Sequence, residues 1–189
     1  MKPFQTVELV RCPPDAMWRA IRDRLDELVP HLDDIRGVTV EHREESPDGV
    51  VKLVNVWRAK ANIPAVLEAV IKPDYLAWTD RASWYEARRE CTWQIELHFD
   101  RQRTRCHGST RFEPALGGKG SRVTFTGEFS MNAQGMRGVP ALLESSIASA
   151  VEAFVTSLIP RNFRKLVHAA AGVAGGAGHA ARSAAGLSR

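Results

Sequence analysis

The stretch VPALLESSIASAVEAFVTSLIPRNF, which runs from Val139 to Phe163, decides the fold. Its apolar residues recur at the three-and-four spacing of one face of an α-helix. They are Val139, Leu142, Leu143, Ile147, Ala150, Val151, Phe154, Val155, Leu158 and Ile159. This pattern predicts a long amphipathic helix near the end of the chain. Small residues flank the apolar stripe and leave room beside it for protein or for a ligand: Ser145, Ser146, Ala148, Ser149 and Ala153.

A shorter helix is predicted near the start of the chain. It follows a strand-like segment, FQTVELVRC, and the pair Pro13-Pro14. Its apolar face carries Met17, Trp18, Ile21, Leu25 and Leu28. Pro30 is expected to stop or kink this helix.

The segments between the two helices alternate apolar and polar residues, as strands do. A hairpin is predicted around the turn SPDG at 46–49, and its second strand is VVKLVNVWRAK. Further strands are predicted in CTWQIELHF, TRCHGSTRFE and SRVTFTGEF. Because strands and helices do not alternate along the chain, an α+β domain is favoured over repeated βαβ units.

The pairing of two of these strands can be predicted from their apolar faces. If Phe99 lies opposite Cys106, Trp93 meets Phe112 and Ile95 meets Thr110. The same pairing places His98 opposite His107 on the other face of the sheet. A metal site would need a third ligand beyond the nearby Glu96, so solvent-facing histidines are the favoured interpretation and no metal site is predicted.

The segment 63–84 gathers more apolar side chains than a connecting loop needs: Leu67, Val70, Ile71, Tyr75, Leu76, Trp78 and Trp84. It is predicted to be a short helix broken by Pro73 and followed by irregular chain. Two interpretations stay open. The segment is either a lid that contacts a membrane surface transiently through Lys60, Lys72 and Arg81, or a loop packed on the edge of the sheet.

Composition narrows the classes of function. The 26 basic and 22 acidic residues are interspersed, so the net charge of +4 does not indicate nucleic-acid binding. Three cysteines without close pairing favour reduced thiols over a disulfide or zinc framework. No secretory leader is recognised and no run approaches about 18 apolar residues, so a soluble, cytoplasmic protein is expected. No cofactor motif appears, and none is expected.

The last residues, 169–189, are rich in alanine and glycine and contain few large apolar side chains. Such a segment has little to bury in a core. It is predicted to be a flexible tail that follows a single domain at 1–168.

The order of these elements resembles that of the START-like (SRPBCC) superfamily, which includes polyketide cyclases and lipid-transport proteins. The resemblance is carried by CPPDAMWRAI, similar to the family's first helix, and by LVPHLDDIRGVTVEHREES, similar to its passage from helix to strand. It covers residues 1 to about 168. It implies a helix-grip fold, in which a curved antiparallel sheet wraps around the long C-terminal helix and leaves a cavity for an apolar ligand.

The resemblance implies binding or transport of a hydrophobic small molecule or lipid, with a polyketide cyclase or aromatase as the alternative. No nucleophile-base pair stands out, so no catalytic residue is predicted and a non-enzymatic module is preferred. Asn55 and Thr110 are polar strand residues that could hydrogen-bond a ligand. The predicted lining of the cavity is Asn55, Trp57, Trp78, Trp93, Ile95, Leu97, Thr110, Phe112, Phe125, Ile147, Ala150, Val151 and Phe154.

Overall fold

The computed structural model describes residues 1–60, 62–68, 70–72, 76–136 and 139–186, with side chains described as far as 175. Seven antiparallel strands form one sheet in the order β1-β7-β6-β5-β4-β3-β2. Their bounds are β1 Lys2–Val10, β2 Ile35–Glu45, β3 Val50–Ala59, β4 Ala77–Tyr85, β5 Glu90–Leu97, β6 Thr104–Ala115 and β7 Gly120–Met131. Three α-helices accompany them: α1 Pro14–Asp23, α2 Leu25–Leu28 and α3 Glu144–Gly186.

The two helical segments between β1 and β2 carry the connection from one edge of the sheet to the other. Met17, Trp18 and Leu28 are essentially inaccessible to solvent, as the apolar spacing predicts. The helix is interrupted at Arg24, earlier than the predicted stop at Pro30, and Pro30 lies in a 3-10 turn at Val29–His31. Trp18 packs edge-on against Trp84 and Phe112, which fixes α1 to the sheet.

The predicted hairpin is confirmed: β2 pairs with β3 around the turn at 46–49, where Gly49 has a φ of 78°. The predicted pairing of the next hairpin is wrong. Ile95 lies opposite Cys106, and Trp93 lies opposite Gly108. His107 therefore faces Gln94 and not His98, whose Nε2 lies 2.9 Å from the Thr79 hydroxyl. Within the described residues, no group of three or more metal-ligating side chains occurs.

The segment 63–84 differs from the prediction, because its second part, from Ala77 onwards, is strand β4. In the described residues 62–68 and 70–72, a 3-10 turn at Ala65–Leu67 lies where the helix is predicted. Leu67, Ile71, Leu76 and Trp84 are buried, whereas Tyr75 and Pro73 lie outside the described residues.

Two of the basic side chains that suggested a membrane-facing lid make contacts within the protein. Arg81 is paired with Glu96 at 2.9 Å, and the Lys72 ammonium donates to the Glu68 carbonyl. The described residues of this segment thus fit the packed-loop interpretation, and membrane contact stays a prediction.

The long helix α3 lies against β1, β7 and α1. Val151, Val155 and Leu158 are buried as predicted, but Leu142 and Leu143 are exposed, because they precede the helix in a 3-10 turn at Ala141–Leu143. The 35 residues from Ala141 to Gly175 are long and apolar enough to cross a membrane by length and composition alone, unlike the expectation from the sequence. Here they form the core helix that the sheet wraps around.

Residues 169–175 continue α3 in the structure, although the sequence predicts a flexible tail from 169 onwards. Val167 and Ala170 are both fully buried. The domain boundary at 168 therefore stays a prediction that truncation can test.

We expect a chain that ends at Gly175 to melt within about 2 °C of the full-length protein, since the residues removed offer little apolar surface to bury. A chain that ends at Ala169 loses the buried Ala170 and should melt a few degrees lower, because about 1 kcal/mol shifts the melting temperature of such a domain by about 2 to 4 °C. Calorimetry of both chains measures the difference. Equal melting temperatures for the two shortened chains would place the boundary at 168. A large drop for the chain that ends at Gly175, relative to the full-length protein, would mean that the residues after 175 dock on the domain.

Candidate ligand-binding cavity

A cavity of about 120 Å³ lies between the inner face of the sheet and residues 159–166 in the middle of α3. Strands β3, β4, β5, β6 and β7 supply one wall, because every second residue of a strand points to the same face. Ile21 and Leu25 close the cavity from the α1–α2 side, and α3 contributes Ile159, Asn162, Phe163 and Leu166. Pro160 lies within this part of α3. It lacks a backbone N–H group and therefore interrupts the hydrogen bonds along the helix.

Seven aromatic residues of the described part of the chain line the cavity. Trp57 and Trp78 stack on one side, with ring centroids 6.0 Å apart and an interplanar angle of 8°. On the other side Trp93 stacks on Phe125 at 4.7 Å, and Phe125 stacks on Phe163 of α3 at 4.2 Å. The two stacks leave a space bounded by flat, polarisable surfaces.

Two glycines make room for the Trp93 ring. Gly108 and Gly127 are directly paired across β6 and β7, and the Trp93 indole lies over both. A Cβ atom at Gly108 would overlap both the indole and the Thr126 carbonyl oxygen. This close approach explains why glycine occupies both positions.

A polar group of three side chains interrupts the aromatic wall. Asn55 on β3 and Asp80 on β4 are directly paired across the two strands, and Asn162 reaches the cavity from α3. The Oδ1 atoms of Asn55, Asp80 and Asn162 are buried and have no hydrogen-bond partner in the protein. Leaving such an atom unpaired typically costs about 1 to 3 kcal/mol, so these oxygens are the polar anchor that a ligand would meet.

Asp80 is a cavity residue with a strongly perturbed acidity. Burial raises the pKa of its carboxyl to about 7, although hydrogen bonds from Asn55 and Trp57 act in the opposite direction. The carboxyl therefore changes its protonation state near neutral pH. It can accept hydrogen bonds when ionised and donate one when protonated.

The thiols of two cysteines lie close to this carboxyl. Burial raises the pKa of Cys106 to about 12 and that of Cys91 well above that of a free thiol, and the Asp80 charge adds to both effects. Both groups are therefore neutral thiols, and all three cysteines of the chain are buried and unpaired. Neither cysteine has the lowered pKa of a reactive nucleophile.

A second cavity of about 60 Å³ adjoins the first. The two share Trp78, Ile95, Ile159 and Asn162 as a partition. Reorientation of a shared side chain would join the two spaces into one longer cavity.

The structure brings eight of the predicted lining residues to the main cavity: Asn55, Trp57, Trp78, Trp93, Ile95, Thr110, Phe112 and Phe125. Leu97 and Phe154 line the second cavity. Ile147, Ala150 and Val151 line neither one. The helix residues that line the main cavity lie further along α3, at 159–166. The small residues at 145–153 therefore do not border this cavity.

Among the cavity residues that were not predicted from the sequence are Asp80, Trp84, Asn162 and Phe163. A signal for Asp80 was present, because Trp78, Asp80, Ala82 and Trp84 alternate at the spacing of one strand face. A carboxylate in the inward phase of a strand is unusual enough to indicate a site. No comparable signal marks Asn162, since the apolar stripe of the helix continues around it.

Comparison with known proteins shows likeness of fold and not of sequence. No family model matches the chain, and no curated protein matches it. Among solved structures, TTHA0849 from Thermus thermophilus is 16% identical with a TM-score of 0.64, over 90% of this chain and 98% of that one. The Zhui aromatase/cyclase from Streptomyces sp. R1128 is 20% identical with a TM-score of 0.60, over 92% and 93% of the two chains.

The di-domain ARO/CYC protein BexL, from the BE-7585A biosynthetic pathway, is also similar. It is 15% identical with a TM-score of 0.53, over 90% of this chain and 45% of BexL. At such identities the comparisons establish the architecture alone. The chain therefore has the helix-grip fold that its sequence predicts.

Proposed function

We propose that this protein binds a small hydrophobic molecule that contains at least one ring and a polar group, in the cavity between the sheet and α3. The observation that carries the proposal is the group of unpaired oxygens on Asn55, Asp80 and Asn162 within an aromatic wall. Small-molecule sites are typically mostly apolar cavities with a few placed polar groups. We further propose that the protein is soluble, since α3 is packed as a core helix, and that it is cytoplasmic, since its three cysteines are free thiols.

The size of the cavity favours a compact ligand over a lipid. An engineered apolar cavity of about 150 Å³ binds benzene. The main cavity has about 120 Å³ and its neighbour about 60 Å³. One ring therefore fits the main cavity, and a longer molecule would need the partition at Trp78 to move.

A side chain that fills the cavity should abolish binding. In Asn162→Trp the indole enters the space in front of α3, and we expect affinity for benzyl alcohol to fall at least about tenfold, because overfilling leaves no volume for a ring. Ser149→Trp places the same side chain on an exposed position of the same helix and should bind as the wild type does. Isothermal titration calorimetry measures both affinities.

Circular dichroism of both variants checks that the fold is retained. Folded Asn162→Trp that binds like the wild type would show that the ligand lies elsewhere. Absence of binding to the wild-type protein would contradict the proposal for this probe class. Native mass spectrometry of gently purified protein then tests for a ligand acquired in the cell.

The second candidate is an enzyme of the aromatase or cyclase type, which one observation favours. Asp80 is a buried carboxyl with a pKa of about 7 in the cavity, a property suited to proton transfer near neutral pH. Two of the structurally similar proteins are the Zhui aromatase/cyclase and the ARO/CYC protein BexL. A catalyst would change the mass of a bound substrate by loss of water during incubation, whereas a binding protein would release it unchanged.

A further inference from the structure

We propose that the ligand carries a protonated amine, held by the Asp80 carboxylate, the oxygens of Asn55 and Asn162, and the aromatic rings of the cavity. This inference rests on the proposed function, and it names the chemical class of the ligand. Three independent features of the cavity support it: its charge, its unpaired acceptors and its walls.

The charge of the cavity favours a cation. Among the described residues that line it, Asp80 is the one carboxyl, and no lysine, arginine or histidine takes part. An anionic ligand would be repelled by Asp80 at and above neutral pH and would find no positive partner. An ammonium group would neutralise the carboxylate, and such charge-assisted hydrogen bonds are about twice as strong as neutral ones.

The unpaired polar atoms also match an ammonium group. Asn55, Asp80 and Asn162 each present an oxygen that accepts hydrogen bonds and lacks a donor. An alkylammonium group offers three N–H donors and no acceptor. The indole N–H groups of Trp84 and Trp93 also lack acceptors, so a hydroxyl or carbonyl oxygen elsewhere on the ligand would complement them.

The walls supply a further attraction. Trp57, Trp78, Trp84 and Trp93 line the same cavity as Asp80. The face of a tryptophan ring attracts a cation, and the attraction grows when the pair is shielded from water. A neutral aromatic ligand would gain only stacking from the same rings, whereas an amine gains both.

Protonation of Asp80 makes this recognition depend on pH. Burial raises the pKa of Asp80 to about 7, so the ligand-free carboxyl gains its charge between about pH 6 and 8. The titratable groups that face it are the neutral thiols of Cys91 on β5 and Cys106 on β6. Its neighbours on β3 and α3, Asn55, Trp57 and Asn162, do not titrate. An alkylamine stays protonated to about pH 9 or above, so Asp80 controls the pH dependence below that.

Three ring-matched probes test the proposal: benzylamine, benzyl alcohol and benzoate. At pH 8 we expect benzylamine to bind at least about tenfold more tightly than benzyl alcohol, and benzoate to bind least, because only the amine pairs with the carboxylate. Affinity for benzylamine should fall about 100-fold from pH 8 to pH 5, whereas affinity for benzyl alcohol should change less than about threefold. Calorimetry at each pH measures these affinities on the wild-type protein.

Asp80→Asn keeps the shape of the side chain and removes its charge. This variant should lose the preference for benzylamine and its pH dependence while it retains benzyl alcohol. Asp26→Asn removes an exposed carboxyl from α2 and should behave as the wild type does.

The outcomes separate the two proposals. Tight binding of benzyl alcohol with no preference for benzylamine would overturn the amine inference and leave the proposed function standing. Failure of all three probes to bind would overturn both. A preference for benzylamine that survives in Asp80→Asn would place the cation elsewhere and would also overturn the inference.

Discussion

Gly108→Ala should destabilise the protein by about 3 kcal/mol or more, since inserting a methyl group into a closed space typically costs about 1 to 3 kcal/mol and here it meets backbone. The added Cβ would overlap the Thr126 carbonyl oxygen and lie 2.7 Å from the Gly127 Cα. Neither atom can move without shifting β7 relative to β6. Urea unfolding, followed by tryptophan fluorescence, measures the loss.

Gly37→Ala is the matched control. Gly37 also lies in a strand, β2, but a Cβ atom there would meet nothing within 4 Å. We expect this substitution to be neutral or to stabilise by up to about 1 kcal/mol, because alanine loses less backbone entropy than glycine on folding. Equal losses for Gly37→Ala and Gly108→Ala would contradict the close-approach argument.

A double-mutant cycle with Trp93 separates the two kinds of contact. At Gly127 the nearest atoms to an added Cβ are the ends of two side chains, the Trp93 indole and the Phe4 ring, the latter at 2.7 Å. Shortening Trp93 to leucine should therefore reduce the cost of Gly127→Ala markedly. The same change should rescue Gly108→Ala much less, because its closest contact is a backbone oxygen. Interaction energies of neighbouring substitutions are commonly about 0.5 to 3 kcal/mol, which is measurable.

The glycine pair also shows why the strand pairing could not be predicted from alternation alone. Side chains repeat with period two, so registers that differ by four residues place the same residues on the same face. The predicted pairing of Ile95 with Thr110 and the observed pairing with Cys106 differ in this way. The observed register places Gly108 opposite Trp93, where a larger residue would overlap the indole. Considering the sizes of facing residues as well as their polarity would have favoured the correct pairing.

The helices and the core strands were predictable because their apolar spacing is regular. Trp18, Val123 and Val151 are buried, in agreement with that spacing. The fourth strand was not predicted because Asp80 interrupts its apolar face, and this interruption is a feature of the cavity itself. The apolar spacing of α3 predicts which face of the helix is buried. It does not predict where the helix lies along the sheet, and that position decides which turns border the cavity. The cavity residues on the strands were therefore largely predictable, whereas those on the helix were not.

Asp80 should also make the ligand-free protein less stable as the pH rises. An aspartate in an ion pair has the opposite effect, because its lowered pKa adds stability as the pH rises. The pKa of Asp80 is raised from 3.8 to about 7, because the folded state disfavours the charged form. Well below pH 3.8 the carboxyl is protonated in both states and has no such effect. Between about pH 4 and 7 the unfolded chain releases this proton more readily than the folded protein does, so stability is lost. Above about pH 7 both states are ionised and the loss is complete.

Asp80→Asn removes this effect, and its stability relative to the wild type should therefore increase with pH. The difference between 3.8 and about 7 corresponds to about 4 kcal/mol, since one pKa unit is worth about 1.4 kcal/mol. The variant should gain most of that amount on the wild type between about pH 4 and pH 8. Effects of the substitution that do not depend on pH cancel when the two ends of this range are compared.

Urea unfolding of both proteins at several pH values, without ligand, measures the difference. Asp26→Asn, which removes an exposed carboxyl, should run parallel to the wild type across the same range. A difference between Asp80→Asn and the wild type that does not change with pH would mean that the Asp80 carboxylate is solvated in the folded protein, and the cavity would then be open to water. If the predicted slope appears, saturating benzylamine should flatten it in the wild type, because an ammonium partner offsets the cost of burying the carboxylate. Benzyl alcohol should leave the slope in place, since it brings no charge to the carboxylate.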